Sequence, residues 1–306
     1  MQRKQFLQHS LLGGASLLTA GLAGASPIKK KKADLGDKPF HLNYGIHDGM
    51  FENLAGSDFV NQIQFAYEHG FRAIEDNGMM GRPAGEQQKI GDALARRGMD
   101  MGVFVLDKGG NGENTLAAGK PEYVEIFLKG CRQAVEVSKR CNGKLTTVVP
   151  GDFDRSLPEG MQTAHIIEAL RRAVDILEPH GIIMVLEPLS DTPDLFLRTA
   201  DQAYAICKAI KSPVCKILFD MYHIQRNTGN LIANIDLTYD EIGYFQIGNN
   251  PGRNEPGTGE MDYKRIFSHI HAKGYKGILG MEHGTQNPGK EGELALIKAY
   301  RDSDDF

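Results

Sequence analysis

The chain has 306 residues, 41% of them apolar, and a formal net charge of -4. That length and apolar fraction can bury a full core, and one large α/β domain is the starting expectation. The acidic balance excludes a nucleic-acid surface, which needs clustered excess Lys and Arg; the one basic run, Lys29 to Lys32, reads as a solvated linker.

The N-terminus comes first. Met1 to Ser10 carries Arg3 and Lys4, an apolar and small-residue stretch runs from Leu11 to Gly24, and Ala23-Gly24-Ala25 has the form of a cleavage site. This is the layout of a secretory signal peptide. The expectation is a signal peptide over residues 1–25, a Lys-rich linker over 26–39, one domain over 40–306 and an exported, periplasmic protein. Arg3-Lys4-Gln5-Phe6-Leu7 resembles a twin-arginine signal with lysine in the second place, so both export routes stay open. No cysteine follows the apolar stretch and no later segment holds 18 unbroken apolar residues, so no stable membrane anchor is expected.

From Phe40 onward, strand-like and helix-like segments alternate to the end. The strand candidates are His41–His47, Ala73–Asp76, Met101–Leu106, Thr146–Pro150, Ile182–Glu187, Lys216–Asp220, Tyr244–Ile247 and Gly277–Glu282. Between them lie helical patterns such as Tyr123–Arg140 and Met161–Pro179, with apolar residues recurring at three and four. Asp58, Glu159 and Thr199 stand where helices should begin. Eight strands alternating with eight helices predict a closed (β/α)8 TIM barrel rather than an open doubly wound sheet. Neither a dinucleotide-binding glycine fingerprint nor a phosphate-cradling GxxxxGK[ST] is present. The longest irregular stretch, Gly248 to Glu260, follows the seventh strand and belongs on the face that carries function in such barrels. Cys131 and Cys141 share one predicted helix roughly 15 Å apart, too far to pair. Cys207 and Cys215 flank a helix-to-strand loop and are sterically open to pairing. The reading is four buried thiols and no zinc site.

Glu187, Asp220, Gln246 and Glu282 each end a short apolar run: IIMVLEP, CKILFDMYH, IGYFQIGNN and GILGMEH. They are 33, 26 and 36 residues apart, about one strand, one helix and two loops each. In a closed barrel all strands end on one face, so the four would meet in one mouth. A single strand-end carboxylate could simply cap the next helix; four at equivalent ends predict a divalent-metal site. Two glutamates, one aspartate and one amide oxygen are hard donors, which favours Mg²⁺ or Mn²⁺ over zinc or copper. No organic cofactor is implied.

A proton beside a carbonyl is too weakly acidic for a bare carboxylate to remove quickly. A divalent ion on the carbonyl oxygen and adjacent hydroxyl stabilises the charge that develops. Two carboxylates flanking the substrate can then act as base and acid, and Glu187 and Glu282 suit that task. The outcome would be epimerisation or aldose–ketose isomerisation of a small sugar or hydroxy-keto acid. His223 lies just beyond Asp220, and Arg253 could bind hydroxyl or carboxylate oxygens in a forked geometry. Glu75 and His47, ending the second and first strands, would line the same mouth and contact substrate.

The segments Phe245-Gln246-Ile247, Asn250-Pro251-Gly252-Arg253 and Glu255-Pro256-Gly257-Thr258-Gly259-Glu260 closely resemble the hydroxypyruvate isomerase group. That group belongs to the xylose isomerase-like TIM barrels, with ketose 3-epimerases and inosose dehydratases as relatives. Leu186-Glu187-Pro188, Phe219-Asp220-Met221-Tyr222-His223 and Met281-Glu282-His283 fit the same pattern. The likeness spans about Phe40 to Tyr300 and is more specific in the second half. It implies metal binding by Glu187, Asp220, Gln246 and Glu282, proton exchange by the two glutamates, and substrate contact by His223 and Arg253. Gln246 stands where ketose epimerases usually have histidine, which points toward the hydroxypyruvate isomerase branch. Related barrels often form homo-oligomers, although this sequence carries no interface signal. A metal-dependent lyase on a keto-sugar would use the same residues and stays open, as does a non-catalytic carbohydrate-binding protein. The three-zinc apurinic endonucleases on this fold need more histidines than the ten found here.

Overall fold

The structure, a computed structural model, describes residues 38–306. The expected signal peptide and the linker up to residue 37 lie outside the described residues. Nine strand segments run in chain order: β1 (Asn43–Ile46), β2 (Ala73–Ile74), β3 (Asp100–Met101), β4 (Val103–Val105), β5 (Leu145–Val148), β6 (Ile183–Leu186), β7 (Cys215–Asp220), β8 (Ile242–Gln246) and β9 (Ile278–Gly280). All pair in parallel, in the order β3-β2-β1-β9-β8-β7-β6-β5-β4. The two ends of that order, β3 and β4, are separated only by Gly102, so they are halves of one stave. The sheet therefore closes on itself as eight staves, in the places the alternation predicts.

Gly102 breaks the stave for a steric reason. A Cβ there would come within 2.4 Å of the Tyr244 hydroxyl and 2.7 Å of the Ile74 carbonyl oxygen. Its N–H still donates to Ile74 O at 2.7 Å, and Asp76 N–H donates to Val103 O at 3.1 Å, so the wall stays hydrogen-bonded across the interruption.

Among the described residues ten α-helices surround the barrel: α1 (Glu52–Ala55), α2 (Phe59–Glu68), α3 (Ala84–Arg97), α4 (Pro121–Cys141), α5 (Glu159–Leu177), α6 (Ala200–Ile210), α7 (Met221–Asn227), α8 (Leu231–Thr238), α9 (Tyr263–Ala272) and α10 (Gly289–Ser303). Each inter-strand connection contains at least one, and the connection from β7 to β8 contains two short ones. Asp58 and Thr199 cap helices as the sequence suggests, while Glu159 is the first residue of α5, behind Pro158, and makes no capping bond. Asp58 accepts from Val60 N at 2.8 Å, and Thr199 with Gln202 forms a capping box at the start of α6, an arrangement that satisfies otherwise orphaned first-turn donors. On α4 the buried positions Val124, Phe127, Leu128, Cys131, Ala134, Val135, Ser138 and Cys141 follow the three-four spacing of one helix face. No helix among the described residues is long and apolar enough to cross a membrane.

Two hydrophobic clusters divide the core. The larger packs helices on the outside of the staves. The smaller consists of Ala73, Val103, Val185, Leu218, Tyr244 and Ile278, one residue from each of six staves, and fills the barrel interior. Side chains alternate along a strand with period two. Glu75, Glu187, Asp220 and Gln246 each lie two residues after an interior residue, and Glu282 lies four after Ile278. The interior packing therefore aims all five toward the axis at the C-terminal mouth.

All four cysteines are buried free thiols, and burial pushes the Cys131 thiol up to about 12. Because the thiolate is the reactive form, native protein should show essentially no reaction with a thiol-specific chromogenic disulfide. Denatured protein should react at all four cysteines; fast native labelling of any would contradict the packing around it.

Candidate metal and acid–base site

Glu187, Asp220 and Glu282 converge at the mouth, with a ligating atom of each, and one of His223, all within 4.8 Å of one another. Asp220 does two jobs at once. Its Oδ1 accepts from Tyr222 N at 2.7 Å and caps α7, while Oδ2 faces Arg253 and His223, each at 3.4 Å. Capping and site membership, the two roles a strand-end carboxylate can have, coexist because each carboxylate oxygen serves one.

Burial raises the Glu187 carboxyl well above the usual range, and the nearby charges of Glu282 and Asp220 raise it further. Asp220 is raised chiefly by burial, against Arg253 and the backbone N–H groups that favour its anion. Glu282 is raised by burial and by Asp220, but a quarter of its side chain is exposed, so solvent screens it most. Two like charges near 5 Å repel by roughly 3 kcal/mol at an effective dielectric of about 20. Three crowded carboxylates, two of them buried, thus leave an excess of negative charge, which suits a divalent cation.

Gln246, next to Asp220 in register across β7 and β8, completes the donor set. Its Nε2 donates to Glu75 Oε2 at 3.3 Å. Its Oε1, fully shielded, has no hydrogen-bond partner among the described residues. A buried carbonyl oxygen without a partner costs about 1–3 kcal/mol, and a metal ligand bond would remove that cost. The residues therefore fit an oxygen-ligated divalent ion: Glu187, Asp220, Gln246 and Glu282 would hold it.

His223 is buried, and burial with the Arg253 charge pulls it down to about 4, so the ring is neutral at pH 7. Ser190 N–H donates to Nδ1 at 3.2 Å, and Ser190 Oγ lies 2.8 Å from the same nitrogen. An accepting Nδ1 leaves the proton on Nε2. That Nε2 lies 3.4 Å from Asp220 Oδ2 and 3.3 Å from Arg253 Nη2, so the ring is held between the two and offers no free lone pair to a metal.

Arg253 reaches the site from the Gly248–Glu260 loop. Its Nη2 lies 2.8 Å from Glu282 Oε2, its Nε donates to Glu282 O at 3.2 Å, and its guanidinium carbon lies 4.8 Å from the Tyr222 ring centre. The loop is tied by Asn249 N to Asn254 O at 2.9 Å, by Glu260 N to Asn250 O at 2.9 Å, and by Glu255 Oε2, which accepts from Gln286 N at 2.8 Å. Gly259 is required here, because a Cβ would meet the Asn250 carbonyl oxygen at 1.8 Å. The glycines read in this motif hold the loop that delivers Arg253.

Of the two remaining candidates, Glu75 lies against Gln246 and His47 stands apart. Glu75 is buried and turns inward, with Oε2 accepting from Tyr244 at 3.0 Å as well as from Gln246. His47 Nε2 lies 3.2 Å from the His283 carbonyl oxygen and lines a small side cavity of about 150 Å³ with His283 and Glu293, which includes none of the four ligand residues. The sequence reading missed Asn77, which donates to Glu282 Oε1 at 2.8 Å, and Ser190, which sets the His223 tautomer. Both stand two or three residues past a strand-end carboxylate, Glu75 and Glu187, and that offset was the available signal. Asn77 also borders a cavity of about 440 Å³ lined by Met80, Leu106, Lys108, Asn111 and Val149, which likewise includes none of the four ligand residues.

A parallel barrel with a carboxylate cluster at its C-terminal mouth defines a class, and the comparisons agree with it. A xylose isomerase-like TIM barrel family model matches residues 63–302, and the chain belongs to that family. It is 29% identical over 248 residues to hydroxypyruvate isomerase of Escherichia coli K12, covering 80% of this chain and 94% of the relative. It is 28% identical over 250 residues to 2-oxo-tetronate isomerase of Cupriavidus necator, covering 79% and 93%. Among solved structures, one described as an AP endonuclease, family 2, from Brucella melitensis superposes with TM-score 0.73 at 23% identity, over 85% of this chain and 99% of that one; at that identity the likeness concerns the fold alone. The chain is an isomerase.

His283, beside Glu282, is fully buried, and burial holds it down to about 3. Its folded value is depressed below the unfolded 6.5, so the unfolded state takes up the proton first as pH falls. Stability is intact above about pH 6.5 and lost below it, by up to about 1.4 kcal/mol per pH unit. The raised carboxylates titrate with the opposite sign, so the comparison must be differential. Urea midpoints from pH 7.5 to 5 should fall more steeply in the parent protein than in His283→Phe; parallel curves would contradict a neutral buried ring.

Proposed function

We propose that this isomerase interconverts a small hydroxy-carbonyl compound, a hydroxypyruvate-like acid or short sugar, at a divalent metal site, with Glu187 and Glu282 as the acid–base pair. The observation that carries the reading is the convergence of two buried carboxylates and the partly exposed Glu282, with the unpartnered Gln246 oxygen on the strand next to Asp220. The relatives' names support the substrate class, since hydroxypyruvate and 2-oxo-tetronate both carry a carbonyl beside a hydroxylated carbon.

When bound, a Mg²⁺ or Mn²⁺ ion would supply Lewis-acid polarisation of the substrate carbonyl oxygen. The chain's own residues do the rest. One glutamate takes the proton from the carbon beside the carbonyl, and the other delivers a proton to the neighbouring carbon or to the opposite face. Positioned carboxylates can carry protons in this way. Glu282, braced by Asn77 and Arg253, and Glu187, drier and more strongly raised, stand on separate staves and could flank the substrate. His223 Nε2–H would donate to a substrate oxygen, and Arg253 would hold a hydroxyl or carboxylate. The exported, periplasmic location belongs to the same proposal.

The test is solvent deuterium incorporation with Mn²⁺ or Mg²⁺ and a panel of hydroxypyruvate, short 2-oxo acids, ketoses and 3-keto-glycosides. Label should enter the carbon next to the carbonyl and disappear on chelation. Glu282→Gln should lower exchange by about 10²- to 10⁴-fold, the usual loss for an acid–base group, with the fold retained by circular dichroism. Exchange that persists in Glu282→Gln removes Glu282 from the proton path, and a dehydrated or aglycone-released product would replace isomerisation by elimination.

A further inference from the structure

Beneath the four ligands, the barrel holds a buried polar group that proton transfer does not use. Glu75 is only 1% exposed, and one oxygen, Oε2, accepts from both the Tyr244 hydroxyl and the Gln246 carboxamide. Space for it is cut from two staves. A Cβ on Gly280 would lie 1.8 Å from Glu75 Oε2 and 2.8 Å from the Tyr244 oxygen, and a Cβ on Gly102 would lie 2.4 Å from that oxygen. Burying a carboxylate costs several kcal/mol, and an apolar side chain of similar volume would pack the same space with no such penalty. The arrangement therefore calls for an explanation beyond packing.

We infer that Glu75 is a positioning residue that fixes which way round the Gln246 carboxamide stands. This rests on the reading of Gln246 as a metal ligand. A carboxamide has an oxygen and a nitrogen at nearly equivalent positions, and only the oxygen can ligate a hard cation. With Nε2 donating to Glu75, Oε1 is the end left free, and it is the atom without a partner. Rotated by half a turn, the amide would set its oxygen against Glu75 Oε2, acceptor against acceptor, and aim two N–H groups at the ligand site. Tyr244, two residues before Gln246 on β8, also donates to Glu75, which follows β2, so the orientation is locked across the barrel interior between two staves that are not neighbours. Partners of this kind orient metal ligands, and losing one typically weakens affinity about 10- to 100-fold.

The experiment is a Mn²⁺ titration of full-length protein, with free Mn²⁺ read by its paramagnetic resonance signal. Glu75→Leu removes both acceptors and should raise the Mn²⁺ Kd at least tenfold. Glu75→Gln can keep an amide oxygen where Oε2 stands and should stay within about threefold, although it removes the charge. Equal weakening in both variants would mean that Glu75 acts only through its charge, and unchanged affinity in Glu75→Leu would mean that it does not act at all; either overturns the inference. Gln246→Leu separates the two levels. If it binds Mn²⁺ as the parent does, the ligand reading itself fails, whereas a loss in Gln246→Leu without one in Glu75→Leu fails only the positioning role. In the Gln246→Leu background, Glu75→Leu should cost no further affinity. Should Glu75→Leu not fold, the parent protein still decides. The Gln246 side-chain NH₂ resonances, assigned by their loss in Gln246→Leu, should be protected from exchange with and without Mg²⁺, and rapid exchange would overturn the lock.

Discussion

Mutual repulsion among buried carboxylates is the constraint around which this molecule is arranged. Ligating atoms of Glu187, Asp220 and Glu282 lie within 4.8 Å of one another; burial raises all three, Glu282 and Asp220 raise Glu187 further, and Asp220 raises Glu282. No folded chain gathers such charges without compensation. Here the compensation is layered: Arg253 bridges Glu282 and Asp220, backbone N–H groups at the start of α7 hold Asp220, and Asn77 holds the most exposed carboxylate. What remains is a carboxylate cluster with the unpartnered Gln246 oxygen on the neighbouring strand, the donor set that the proposed function assigns to a hard cation.

The barrel supplies the rigidity that this crowding needs. Parallel staves ending at one height present their last inward side chains together, and the apolar layer below, from Ala73 to Ile278, cannot be compressed to let them separate. The same layer contains the exceptions that matter. Tyr244 brings a hydroxyl into the interior, Gly102 and Gly280 vacate space around it, and Glu75 fills the chamber. The stave broken at Gly102 and the polar floor of the site are thus one feature.

The loops add direction. Asp220 starts a helix with one oxygen while offering the other to the site, so the strand-to-helix junction and the site share an atom group. Ser190, three residues after Glu187, sets the proton on His223 Nε2, converting a histidine near the cluster into a hydrogen-bond donor. Arg253 adopts a left-handed backbone conformation, φ 51°, uncommon for a residue with a side chain, and the bonds of the Gly248–Glu260 loop hold it there.

Much of this was legible in the sequence because it depends on local period and position. Eight apolar runs alternating with helical patterns imply the barrel, and its symmetry implies that Glu187, Asp220, Gln246 and Glu282 share a mouth, since every stave must end on the same side. The hardness of the ligand set follows from residue type alone. What the sequence could not decide is where each polar group turns once the barrel closes. Glu75 and His47 end strands like the four ligands, yet Glu75 bends inward to Tyr244 and Gln246, and His47 backs the His283 carbonyl. Those choices depend on Gly102 and Gly280, both far along the chain from Glu75, on the orientation of one amide and on a serine backbone donor. Such contacts join residues distant along the chain, and only the closed barrel brings them within bonding distance.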